Sequence, residues 1–282
     1  MIDVLIDTGL DFIKLLPFLF LTYLAMEWLE SHAGSKTEAT IEKAGRLGPV
    51  AGGILGVVPQ CGFSAASANL FAGRVISMGT LLAVFLSTSD EMLPMMIADG
   101  SKWKELGTAI ICKAVYGIVV GLIVDAVLVK LGKSHHIDIH EFCEDNGCEC
   151  DDEEGGILKP ALKHTLKTGA FILIVSFIIN VVLFFIGEES LSHIMSSVPV
   201  LGNFLAAVVG LIPNCAASVV LTQLYLQGVI SFGIMMSGLL TGAGVGILVL
   251  CRVNHHIKEN AVVIGLLYLT GALGGLIFGA IL

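Results

Sequence analysis

Apolar residues come in long runs divided by short polar connectors, and run length sorts them into two kinds of element. Runs near Leu10 to Leu29, Val75 to Ala98, Leu106 to Leu131, Ala161 to Ile186, Val229 to Cys251 and Val262 to Leu282 can cross a hydrocarbon core of about 30 Å at about 1.5 Å per helical residue. Leu47 to Val58 and Phe63 to Gly73 are each too short, and Pro59-Gln60-Cys61-Gly62 separates them. They predict a re-entrant or broken-helix hairpin, whose irregular tip needs protein or a water-filled cavity around it. A second hairpin is predicted near Leu201 to Gln227, broken at Pro213-Asn214-Cys215.

The two hairpins belong to a duplication. Sliding Leu47 to Leu128 by 154 positions lays it without gaps on Leu201 to Leu282, with about a quarter of positions identical. Pro59 falls on Pro213, Cys61 on Cys215, Ser64 on Ser218, Val75-Ile76-Ser77 on Val229-Ile230-Ser231, and Lys104-Glu105 on Lys258-Glu259. Apolar composition alone does not produce prolines, cysteines and lysines at one fixed offset. The predicted units are residues 1–131 as a first membrane repeat, 132–158 as a cytoplasmic loop, and 159–282 as a second, inverted repeat.

Orientation follows from parity and from basic residues. If each hairpin enters and leaves on one side, a half makes three full crossings and the second half is inverted. A cytoplasmic central loop then puts Lys36, Lys43, Arg46, Arg74, Lys130, Lys133, Lys159, Lys163, Lys167, Arg252 and Lys258 inside, against Lys102 and Lys104 outside, as the positive-inside rule requires. Reading each break as a single kinked crossing would send the central lysines to the side opposite Lys36, Lys43 and Arg46. The expected architecture is therefore an all-α polytopic membrane protein of two inverted repeats, with the hairpin tips meeting near the midplane.

Composition agrees. Hydrophobic residues make up 55%, charged residues 14%, and mean hydropathy is +0.90, values that fit membrane helices rather than a soluble domain. Strand alternation expected of a barrel is absent. The first apolar run is too long, and too poor in preceding positive charge, for a cleaved signal peptide. Much of the net charge of -9 lies between Glu141 and Glu154, so it describes a loop rather than a face. The 15 Lys and Arg are scattered, which argues against a nucleic-acid partner. Three of seven cysteines lie in the acidic loop and four in apolar runs, a poor disulfide framework.

Two interrupted apolar segments at matching places in two halves point to a transporter's binding site. Pro59 and Pro213 end one half-helix, and Cys61 and Cys215 open the next, where free N–H groups and the macrodipole favour negative charge. Two such sulfurs at one axis suit a soft cation or thiophilic metalloid; otherwise they are small residues packing close hairpin walls. Gln60 and Asn214, Ser64 and Ser218, and Asn69 and Gln223 recur as pairs, and either complete a coordination shell or satisfy the broken backbone. Asp90 and Glu91 lie inside an apolar run, where a carboxylate costs about 2.5–3.5 kcal/mol. They are candidate cation ligands or proton carriers, with Lys113 as the expected charge partner and Asp125 as competitor, and their counterparts are Gly244 and Val245. The loop residues His135, His136, His140, Cys143, Cys148 and Cys150 are candidate metal ligands without zinc-finger spacing; a flexible acidic connector is the alternative.

Pro59-Gln60-Cys61-Gly62, Ser87-Thr88-Ser89-Asp90-Glu91, Pro213-Asn214-Cys215 and the His/Cys/acid-rich loop together resemble the ten-transmembrane heavy-metal exporter family, over essentially the whole chain. Members of that family carry labels such as arsenic efflux protein or manganese transporter. The resemblance implies a bacterial or archaeal inner-membrane permease and leaves the ion open, since paired cysteines favour trivalent arsenic and Asp90 with Glu91 would suit manganese.

The expected function is secondary transport, in the efflux direction, of a heavy-metal or metalloid ion. The lipid bilayer and that ion are the partners, proton coupling is a candidate drive, and no cofactor is required beyond the ion as substrate. No Walker A pattern is present, which argues against ATP hydrolysis by this chain. Two alternatives remain: a small-anion permease using half-helix N-termini, and a membrane thiol-disulfide enzyme using Cys61 and Cys215.

Overall fold

The computed structural model describes residues 9–25 (except 11, 14 and 18), 47–58, 61–89, 92–100, 102–132, 158–186 and 199–281; for 61, 159, 160, 180, 182–186, 199 and 200 it describes backbone only. The regular structure among the described residues is all helical, with no strand among them. Their helices are α1 (Leu15–Ala25), α2 (Gly48–Leu55), α3 (Cys61–Ala72), α4 (Met78–Ser87), α5 (Met92–Asp99), α6 (Trp103–Lys130), α7 (Leu158–Ile186), α8 (Pro199–Gly210), α9 (Cys215–Leu226), α10 (Phe232–Thr241), α11 (Gly246–Val253) and α12 (Ile257–Ile281).

Five stretches have the length and apolarity of membrane spans: Met78–Asp99, Trp103–Lys130, Ala161–Ile179, Phe232–Val253 and Ile257–Ile281. The chain is a multi-pass membrane protein. Burial divides these spans. Most of the described residues of Met78–Asp99 and of Phe232–Val253 are buried inside the protein, against a third or less of the other three. The two central spans are also the broken ones. Each begins with a half-helix of 10 residues, α4 and α10, or about 15 Å, half of a typical hydrocarbon core. The sequence pattern predicts continuous crossings there; polar and glycine residues at their middles interrupt both.

Local chemistry repeats along with the sequence. Ser77 caps α4 by accepting from Thr80 N at 3.1 Å, and Ser231 caps α10 by accepting from Ile234 N at 3.4 Å. Just before, α3 and α9 end in the same left-handed turn. Val75 N donates to Leu70 O at 2.8 Å and Val229 N to Leu224 O at 2.9 Å, with φ of 56° at Arg74 and 74° at Gly228. The Val-Ile-Ser triplet recurs because it closes one helix and opens the next.

Packing repeats too. In the first half α2, α4 and α6 pack together, as α8, α10 and α12 do in the second. Glycines permit the close approach: a Cβ at Gly79 would strike the Gly121 carbonyl, and one at Gly233 would strike the Gly275 carbonyl. Between halves the contacts are exchanged, with α11 lying on α3 and α5 on α9. Tyr116 donates its hydroxyl to Thr270 O at 2.7 Å, a bond between positions that the 154-residue offset makes equivalent.

The surface of the outer helices is a matched pair of apolar stripes. Val115, Val119, Ile123 and Val127 on α6 are exposed, and so are Leu269, Leu273, Ile277 and Ile281 on α12. Spacing of four keeps each stripe on one helical face, and on a membrane protein such a face meets lipid.

Candidate functional site

The site is built around three interruptions. The chain stops being helical at Gly210 and resumes at Cys215, with Leu211, Ile212 and Pro213 between. Asn214 caps α9, its Oδ1 accepting from Ala216 N at 3.0 Å. Cys215 is buried in the first turn of α9, and Ser218 donates Oγ–H to Cys215 O at 2.7 Å.

The second interruption follows α4. Ser87 donates to Ala83 O and Thr88 to Val84 O, both at 2.7 Å. These hydroxyls compete for the last helical carbonyls, and Thr88 leaves the helix with ψ at 130°. The third follows α10, where Thr241 donates its hydroxyl to Ala207 O at 2.9 Å and Gly244 takes φ of 52°, a left-handed conformation open to glycine. Offset by 154, these two breaks coincide, although one is made by hydroxyl residues and the other by glycines.

A cavity joins all three. Its lining includes Thr88 and Ser89 from the first broken span, Asn214, Cys215 and Ser218 from the break between α8 and α9, and Gly242 and Gly244 from the second broken span. The volume open to the centre of a water-sized sphere is about 20 Å³, which suits a water or a small dehydrated ion. Its chemistry combines a thiol, an amide, hydroxyls and the N-terminus of α9.

Lys113, from α6, reaches the same place. It is fully buried, and Nζ donates to the carbonyl oxygen of Thr88 and to that of Leu239, the latter at 2.7 Å. Asp125 lies 12 residues along the helix, about 18 Å away along the axis. There it accepts from Ser77 Oγ at 2.6 Å and Gly79 N at 2.9 Å, anchoring the start of α4. The competitor considered for Lys113 is thus committed to a helix cap.

The remaining candidates are dispersed or undescribed. Ser64 is fully buried on α3 against α11, where a Cβ on Gly246 would lie 2.9 Å from Ser64 Cβ. Asn69 is fully buried further along α3, and both ends of its amide lack a hydrogen-bond partner. Gln223 is half-buried on α9, away from the cavity lining, and Pro213 is half-buried in the turn before the cap. Pro59, Gln60, Asp90 and Glu91 lie outside the described residues, as do His135, His136, His140, Cys143, Cys148 and Cys150 and the side chain of Cys61. Among the described residues no three of His, Cys, Asp and Glu cluster as a metal site. Thr88, Ser89, Gly242 and Gly244 line the cavity and are not among the binding residues expected from the sequence. The signal was present in the Ser-Thr-Ser run and in two glycines inside an apolar span.

A family model described as "Putative, 10TM heavy-metal exporter" matches residues 1–185. The chain belongs to this family. The match takes in the first half, the central segment and most of α7, and it ends before α8. No curated protein and no solved structure matches the chain.

Proposed function

We propose that this family member is a secondary transporter that exports a heavy-metal or metalloid ion through a site at the meeting of its broken helices. The observation that carries the reading is the cavity in which a buried cysteine and a capping asparagine of one break face the interruptions of both central spans. Discontinuous helices that present half-helix ends to a common point are how transporters place substrate and ions near the midplane. In this reading Cys215 is a soft ligand, Asn214, Ser218 and Thr88 replace part of a hydration shell, and Cys61 with Gln60 supplies the equivalent group from the first hairpin. Asp90 and Glu91, which follow Ser89 directly, bring carboxylates for a cation or for protons, with Lys113 as their charge partner.

The two halves are taken as inverted repeats, each with a re-entrant hairpin, and the central loop as cytoplasmic, in the inner membrane of a bacterium or archaeon. Support comes from the exchanged packing of α11 on α3 and α5 on α9, the reciprocity that a two-fold relation produces. The basic residues favour the same arrangement. Loop residues His135 to Cys150 would meet the ion before it enters the membrane.

Accumulation of manganese(II), arsenite and an oxyanion such as phosphate, in cells expressing the wild type or Cys215→Ser, tests this. Export predicts lower accumulation of one metal or metalloid in wild-type cells and a loss of that difference in the variant. Equal accumulation of every ion in both strains would sink the assignment. A small-anion permease is the second reading, favoured by the N-terminus of α9 at the cavity and the buried lysine behind it; oxyanion movement alone would select it.

A further inference from the structure

Lys113 sits where two half-helices of different repeats end. Thr88 is the residue at which α4 stops, and Leu239 lies in the last turn of α10. The last carbonyls of a helix have no donor within it. For Leu239 O, the usual donor four residues on is Ala243 N, which instead bonds Thr241 O at 2.9 Å. The Lys113 ammonium supplies hydrogens to both exposed carbonyls, and it does so at two negative dipole ends, where a cation is stabilised.

Carbonyls at the C-terminal ends of broken helices are also the oxygens that coordinate small coupling cations in transporters. Here that seat is taken by a cation carried on the chain. The seat is shared by the halves, but the lysine is not duplicated, because its counterpart at the 154-residue offset is Leu267, a fully buried leucine. Lys113 enters from α6 alone, and both of its carbonyl partners, Thr88 and Leu239, also line the cavity.

We propose that Lys113 is a tethered substitute for a monovalent cation in a carbonyl seat between the two broken spans, so that the seat needs neither sodium nor potassium. It is a positioning residue: it clamps α4 to α10 and fixes the carbonyl ends that flank the substrate cavity. The consequence for transport rests on the exporter reading above; the seat itself does not.

The test has two arms. Thermal unfolding of the purified full chain, wild type and Lys113→Ala, is followed in sodium, potassium, ammonium, methylammonium and N-methylglucamine chlorides at equal ionic strength. Wild type is expected to melt at one temperature in all five salts. Lys113→Ala is expected to melt about 10 °C lower in N-methylglucamine and to regain at least half of that loss, saturably, in ammonium or methylammonium. A saturable rise of the wild-type melting temperature in sodium or potassium overturns the proposal, and so does a deficit in the variant that no small cation repairs. If Lys113→Ala does not fold, the wild-type comparison across salts decides alone.

In the second arm, manganese(II) and arsenite fluxes are measured in wild-type proteoliposomes with sodium, potassium or N-methylglucamine as the bulk cation. Equal flux in all three supports the tethered cation, and sodium- or potassium-dependent flux overturns it. No flux of either probe in any salt brings down the transport reading and its consequence here, while the melting temperatures still decide the seat.

Discussion

The two central spans break at equivalent positions by different means. After α4 the chain uses Ser87, Thr88 and Ser89, whose hydroxyls turn back onto helical carbonyls. After α10 it uses Gly242 and Gly244, with a left-handed φ at Gly244. Opposite the first break stands Lys113; at the position matching Lys113 stands Leu267. The lesson is that the interruption belongs to the architecture and is needed twice, whereas the charge was added to one half only. The repeated pattern supplies the two breaks, and the unrepeated lysine distinguishes them.

Moving the charge to the position equivalent at the 154-residue offset gives the largest expected effect. Leu267→Lys puts a cation at a fully buried apolar position and should destabilise the protein by about 4 kcal/mol. The reverse exchange, Lys113→Leu, leaves two carbonyls without donors and should cost about 3 kcal/mol. Similar melting temperatures for the two variants in detergent would erase the claimed asymmetry.

Next comes the close packing beside each break. A Cβ at Gly210 would strike the backbone carbonyl oxygen of Gly238, while one at Gly56 meets the side-chain hydroxyl of Ser87 first and the backbone carbonyl oxygen of Val84 less closely, at 2.7 Å. Gly210→Ala is expected to cost about 3 kcal/mol and Gly56→Ala about half of that, because a side chain can move where backbone cannot. Equal losses in thermal unfolding would mean that both helix pairs yield alike.

A smaller effect of opposite sign is expected at Asn69. Its amide is fully buried with neither end bonded, so Asn69→Leu should stabilise by about 1–2 kcal/mol. Greater stability with impaired transport would place Asn69 on the substrate's path, in line with its pairing to Gln223; greater stability with unchanged transport would assign it to packing.

The smallest effect lies at the turns that close α3 and α9. Gly228→Arg puts a side chain at φ of 74° and should cost about 1 kcal/mol. Arg74, at φ of 56°, bears the same strain and donates Nη1–H to Glu259 Oε2 at 2.7 Å across the halves. Arg74→Gly relieves the strain and loses the ion pair, for a net change within about 1 kcal/mol. A loss well above that would make Arg74–Glu259 a principal tie between the repeats.

Much of this could be read from the chain before any coordinates. Run lengths, prolines and the fixed offset are local or periodic features, and they located the duplication, the break at Pro213 and the helices that flank it. Cys215, Asn214 and Ser218 stand out in the sequence because they recur beside a proline in an apolar run, and all three line the cavity. Other features were not legible. An apolar stretch of crossing length looks the same whether its helix continues or stops half-way, so the interruption at Gly242 to Val245 was read as part of a crossing. Asp125 was weighed as a partner for Lys113 because sequence does not say which helix start a carboxylate will cap.

The sequence by itself determined that this is a helical membrane protein whose later part repeats the pattern of its earlier part and breaks at Pro213, since length, apolarity and turn chemistry act over a few residues at a time. The tertiary structure alone decided which breaks share a cavity, and that Lys113 ends on the carbonyls of Thr88 and Leu239. Leu239 lies 126 positions from the lysine that reaches it, and only the packing of the two halves brings them together.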